Sequence, residues 1–318
     1  MNQKGCCFGC MAVFLILVGG SCLILYWGAV SMDLLYESPA EDALALIGES
    51  PALLVRVDPN SEEALDLLNE TMEGQFNLFL RAFLPHELVF ALLPHREDGV
   101  SETVFSASLR RMGGLLALVS SDPEDWHWFE AQEMESAGLE SDALWVVRGT
   151  VRSSDDVRGQ VSKWWPMEAH EPLDLEGGHT VELVLDNRDG KAWLALDPLL
   201  IANETDEDAI VVMKAPFEPE MSTRLNGFFR RVRTFRLNAD MVEADRATLT
   251  VEAECRDADA AESMLMFLFT VRDGIYRACV EKEVALDGHF TQDGSSIRGE
   301  FAFTGFRKTF IAKMRSQL

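Results

Sequence analysis

Residues 248–263, TLTVEAECRDADAAES, decide the fold. Leu249, Val251, Ala253 and Cys255 alternate with Thr248, Thr250, Glu252 and Glu254. That period of two describes a strand with one apolar and one polar face. Asp257 then stands where a helix N-cap belongs. Ala261, Met264, Leu265 and Leu268 follow at helical spacing and form one apolar stripe. A half-buried strand turning into a one-sided helix predicts that the helix folds back onto the strand's apolar face. The expected class is α+β: antiparallel sheets with helices on one face.

Outward from this stretch, 233–240 reads as the strand paired with 248–255. IRGEFAF (297–303) puts Ile297, Phe301 and Phe303 inward against Arg298 and Glu300. A last helix is expected over 306–316, where Lys308, Lys313 and Arg315 suit the negative end of the helix dipole. IVVMK (210–214) reads as a strand and 220–229 as a helix. In the first half, 53–57, 88–93, 103–109, 115–120 and 145–151 read as strands. Helices are expected over 61–72, capped by Asn60 with Glu63, and over 76–84 and 124–134. Another runs from Ser153 or Ser154 to Trp165, before Pro166. VELVL (181–185) and AWLAL (192–196) flank Asn187–Gly190 as a hairpin.

Strand, proline-marked corner and helix at 53–72 recur at 210–229, and strand, cap and helix at 145–165 recur at 248–269. Two similar α+β units follow, 52–166 and 210–318, joined by a linker and hairpin over 167–209.

The 318 residues carry 28 Lys and Arg against 53 Asp and Glu, a net charge of −25. A field of that sign excludes nucleic acid as a partner, since phosphate needs a cationic footprint. Hydrophobic residues make up 47%, enough for a packed core, so the chain is not intrinsically disordered. Six cysteines are too few for a disulfide-dense scaffold.

No acid precedes Asp33, and Lys4 is the sole charged side chain before it. Met11–Met32, MAVFLILVGGSCLILYWGAVSM, is 22 residues of uncharged chain. About 20 helical residues cross a hydrocarbon core. The expectation is a transmembrane anchor over 11–32, with Tyr26 and Trp27 at its far interface. Residues 1–10 then lie in the cytoplasm, 33–51 form a juxtamembrane lead-in, and 33–318 are extracytoplasmic. The alternative is secretion after cleavage near Ser31, at Ala29-Val30-Ser31. Lipidation at Cys22 is disfavoured by the apolar Leu23–Trp27 beyond it. Cys6, Cys7 and Cys10 invite a metal or S-acylation, and the plain reading is small residues at a helix end.

The anchor, the LLVRVDP strand and corner (53–59) and the 248–263 turn together resemble uncharacterised bacterial envelope proteins with one N-terminal membrane helix and an exported α+β region. That resemblance implies location and architecture, and brings no catalytic residue or cofactor.

His86, His95, His127, His170, His179 and His289 show neither HExxH nor HxH spacing. GxGxxG, GxxxxGK[ST], GxSxG and SxxK are missing too. Asp186, Asn187, Asp189 and Gly190 lack the glutamate that a calcium loop needs, and Glu204–Asp208 reads as a solvated acidic loop. No cofactor or metal is expected. Interaction candidates are the aromatic clusters Trp126, Trp128 and Trp164, Trp165, and the basic run Arg230, Arg231, Arg233, Arg236. Two adjacent tryptophans on one helix cannot both point inward. Cys255 and Cys279 are the cysteines after residue 32, and either pair or stay as separate thiols. The functional expectation is non-catalytic binding or scaffolding at the envelope, with another envelope protein or an envelope surface as partner. A hydrolase with dispersed carboxylates and histidines, or a hydrophobic-ligand carrier, is the alternative.

Overall fold

The computed structural model describes residues 47, 51–71, 84–95, 99–109, 133–140, 144–165, 173, 175, 177–201, 227–243, 245–308 and 311. The elements are β1 (Leu53–Val57), α1 (Glu62–Thr71), β2 (Glu87–His95), β3 (Val100–Ser108), β4 (Glu133–Leu139), β5 (Leu144–Arg152), α2 (Asp155–Trp164), β6 (Val181–Asp186), α3 (Lys191–Ile201), β7 (Val232–Glu243), β8 (Arg246–Cys255), α4 (Ala258–Glu281), β9 (Ala285–Asp293) and β10 (Ser296–Thr304). The fold is α+β, mostly antiparallel sheet with a few helices.

Where more than one sheet was expected, the ten strands form one, in the order β4-β5-β3-β2-β1-β6-β7-β8-β10-β9. Every neighbouring pair is antiparallel. From the middle outward the two halves read β1-β2-β3-β5-β4 and β6-β7-β8-β10-β9, the same order twice. A helix follows the first strand of each, α1 after β1 and α3 after β6. The strand order thus matches 53–71 with 181–201, where the sequence pattern suggested 210–229.

The expected hairpin over 181–196 is a strand followed by a helix. AWLAL is apolar without polar alternation, and such a short run fits either element. Local capping decides. The Asp189 carboxylate accepts from Lys191 N at 3.1 Å, and the Asn187 side chain accepts from Trp193 N at 3.1 Å. Gly190 supplies the turn at φ 78°. Ala192, Trp193, Leu194 and Ala195 are all buried, as in a helix enclosed on every side.

Ser61, and not Asn60, caps α1, accepting from Ala64 N at 3.3 Å. Asn60 instead donates to the carbonyls of Pro85 and His86, both at 2.9 Å. Glu133 and Met134, expected at a helix end, begin β4. Expectations over 11–32, 76–83, 115–120, 124–132, 210–214 and 220–226 lie outside the described residues, as does most of 306–316. Among the described residues no helix is long and apolar enough to cross a membrane.

α2, α3 and α4 pack on one face of the sheet. Val161, Trp165, Trp193, Met264 and Leu268 meet Leu92, Leu185, Val232, Ala253 and Ile297 there. On the other face, the first half buries Leu54, Val89, Ala91, Leu93, Val104, Leu144 and Val146, with Ile47 and Leu175 against them. The two halves join where β1 pairs with β6, from Leu53 opposite Leu185 to Val57 opposite Val181. Arg56 crosses that seam. It pairs with Glu87 on β2 and donates from Nη1 to Glu182 Oε2 on β6 at 3.0 Å. Glu182 is 1% exposed, and its second oxygen accepts from Gly177 N at 2.8 Å.

Glu182→Ala removes a buried acceptor from both a guanidinium and an amide. It should lower folding stability by about 2–4 kcal/mol. Denaturant unfolding of the variant against wild type measures this; a loss below about 0.5 kcal/mol would mean that the seam does not depend on the pair.

Candidate functional site

The candidate site grows from one buried side chain. Asn187, fully buried after the last residue of β6, donates through Nδ2 to Phe229 O at 2.7 Å and to Val232 O at 3.0 Å. Its Oδ1 accepts from Trp193 N, and its backbone N–H donates to Arg233 O at 2.7 Å. The start of α3 is thereby tied to the 229–233 turn. Trp193 is buried in α3, and the Arg230 guanidinium lies 5.3 Å from its ring centroid. Arg230 also donates to the side chain of Gln160 on α2.

α2 supplies the rest of this corner. Ser154 caps it, accepting from Val157 N at 3.4 Å. The buried Asp197 of α3 accepts from Ser154 N and Oγ at 3.2 and 2.9 Å, which fixes α2 against α3. At the far end of α2, Trp165 is 3% exposed and Trp164 is 42% exposed. Arg256, at the turn from β8 into α4, lies 5.3 Å from the Trp164 ring and 6.0 Å from the Trp165 ring. Lys163 Nζ lies 5.9 Å from the Trp164 ring. The Arg256 backbone N–H donates to Arg231 O at 2.9 Å, so these two arginines are neighbours across the chain.

Lys163, Trp164, Arg230, Arg231 and Arg256 are all exposed. Among the described residues no carboxylate pairs with any of the four cations. This is a cation–aromatic patch on a chain of charge −25. Indole faces hold guanidinium groups in place while their N–H edges stay available to a bidentate anion. Guanidinium does not release its proton at ordinary pH, so the arrangement suits binding and not proton transfer.

The basic run does not stay together. Arg230 lies against Trp193, and Arg231 meets the backbone of Arg256, whose side chain lies against Trp164 and Trp165. Arg233 sits where the β7–β8 register breaks, between Val232 and Thr234. Arg236 faces the opposite side of the sheet, directly across from Glu252. There it lines an open groove of about 460 Å³ with Thr234, Glu254, Thr291, Ser296 and Arg298. Glu252 meets Arg298 at 3.3 Å, and Glu254 accepts from the hydroxyls of Ser295 and Ser296 at 2.7 and 2.5 Å. Trp126 and Trp128 lie outside the described residues. Trp193 and Arg256 were not legible as members, because each stands far from the others in sequence and becomes a neighbour through packing; Lys163 stands beside Trp164 in the chain and was passed over.

Cys255 and Cys279 are separate thiols. α4 lies between them, and 21 helical rises from 258 to 279 span roughly 30 Å, whereas a disulfide needs Cα atoms within about 7 Å. Burial, with Glu254 and Asp257 nearby, pushes the Cys255 thiol up to about 11, and burial raises that of Cys279. Among the described residues no three His, Cys, Asp or Glu side chains gather to hold a metal ion.

No family model and no curated protein matches the chain. Solved structures of TP0453 in crystal forms IV and I are similar to it over 86% and 88% of this chain and 96% and 99% of theirs. The TM-score is 0.36 for each, with 12% and 11% identity, which makes them distant structural neighbours.

Asn187→Ala leaves two carbonyls and an amide unpaired in the interior, and should cost about 3 kcal/mol. Asn187→Asp should cost at least as much, because a carboxylate would face the Phe229 and Val232 carbonyls. Unfolding curves for both variants check this. In the native protein, maleimide at pH 7 should label Cys279 well before Cys255. After denaturation without reductant both should label, as peptide mass mapping would show.

Proposed function

We propose that the chain is a membrane-anchored, extracytoplasmic and non-catalytic binding protein, held by a helix over 11–32, with the cation–aromatic patch as its docking surface. Its partner is an acidic segment of another envelope protein. One observation carries the reading: Lys163, Trp164, Arg230, Arg231 and Arg256 come from three distant segments to form an exposed basic patch in an acidic molecule. Exposed Trp beside Arg is the composition from which interface anchors are drawn. The charge contrast favours an acidic partner, and steering by such a patch weakens as salt screens it. The 22 uncharged residues followed by acids support the topology, as does the resemblance of the anchor and the 248–263 turn to exported proteins.

Two measurements test this. A reporter fused after Leu318 should be active only outside the cytoplasm; activity only inside would overturn the topology. A photo-cross-linker in place of Trp164, in the full chain in cells, should capture an envelope protein through an acidic segment. Capture should fall at least tenfold in the double variant Arg230→Glu with Arg256→Glu. Capture that is indifferent to charge reversal would overturn the docking role.

A further inference from the structure

We propose that two copies of the chain pair edge to edge through β9, making one sheet of the two. Among the described residues the sheet has two outer strands, and they differ. β4 is seven residues long, with its pairing to β5 broken between Met134 and Ser136. A short, bulged strand is a protected edge. β9 is nine residues long and pairs with β10 from Ala285 to Asp293 with no break. Its sequence, ALDGHFTQD, has neither the lysine nor the proline with which edges are commonly blunted. Ala285, Asp287, His289, Thr291, Gln292 and Asp293 are exposed.

The layer above the same edge is uncovered too. On α4, the Phe269 ring packs edge-on against Phe290 of β9, with centroids 5.7 Å apart. Tyr276 and Val280 lie seven and eleven residues further on, which places them on the Phe269 stripe of the helix. They are 52% and 58% exposed. An added peptide strand would cover the edge of β9 and leave both side chains in water. A second copy brings its own α4 above its own β9, so one two-fold axis covers strand and helix together.

The charges permit this. With His289 on the axis, antiparallel pairing sets Asp287 opposite the other copy's Thr291, and Asp293 opposite its Ala285. No acid on the strand meets an acid. Long-range repulsion between two copies of charge −25 remains, so pairing should strengthen as salt is added. The cation–aromatic patch takes no part, and pairing stands or falls independently of it.

The test uses the full chain purified in mild detergent. Sedimentation equilibrium should give a dimer. Dissociation should become at least tenfold more favourable in His289→Lys, which sets two ammonium groups on the axis, and in Tyr276→Asp with Val280→Asp. These side chains are exposed, so circular dichroism should be unchanged. With Cys6, Cys7, Cys10, Cys22 and Cys279 changed to serine, His289→Cys should form an intermolecular disulfide on oxidation, since residues facing each other across an antiparallel pair have Cα atoms about 5 Å apart. A monomer at tens of micromolar, a dimer indifferent to both sets of substitutions, or a dimer that position 289 does not cross-link would each overturn the proposal.

Discussion

The whole sheet depends on a ladder of five residue pairs. β1 and β6 are short, and each is the innermost strand of its half. Ala52 O accepts from Asp186 N at 2.8 Å and extends the ladder by one bond. A seam this short gains specificity from its polar members. Arg56 bridges three strands because its partners, Glu87 and Glu182, stand on the same face of β2 and β6. A slip of one residue would turn Arg56 toward the helices and Leu53 and Val55 away from them. The pair of half-buried Arg56 and buried Glu182 therefore fixes register as well as joining the halves. Its net contribution to stability is smaller than its geometry suggests, because both charges were desolvated to make it.

The seam also positions the candidate site. Asn187 follows the last residue of β6, so the register of β1 against β6 sets where its amide sits. That amide holds the 229–233 turn and the first turn of α3. Arg230 reaches Trp193 as a consequence, and α2, locked to α3 through Ser154 and Asp197, brings Trp164 within reach of Arg256. The patch is built on helix ends and turns anchored in the core, and not on a free loop. A rigid array of this kind loses little entropy when it binds.

The opposite face of the second half has another character. Arg236, Glu252 and Arg298 form a cross-strand row of alternating charge, and Glu254 is held by two serine hydroxyls. Such a row stabilises pairing between neighbouring strands by small increments. These three strands, β7, β8 and β10, thus present a polar surface on one side and the α4 core on the other. This is the alternation that antiparallel strands with one wet face require.

The sequence by itself determined the parts that depend on near neighbours. Alternation at 248–255 and the cap at Asp257 marked β8 and the start of α4, and the Ser153-Ser154 pair marked the start of α2, where Ser154 proves to be the cap. The acidic balance and the uncharged 11–32 segment are likewise sequence properties. Tertiary structure decided what depends on distant partners. Periodicity does not say whether Ala192–Leu196 extends or coils; Asn187 capping and all-round burial do. Nor does a run of arginines reveal that Arg236 faces away from Arg230 and Arg231, because the break in β7 pairing at Arg233 comes between them. Arg256 joined Trp164 for the same reason: their proximity comes from the packing of α2 and α4 on one sheet. Alternation along a strand is local and legible, whereas the choice between neighbouring caps, as between Asn60 and Ser61, and the meeting of side chains across a core depend on what the rest of the fold brings near.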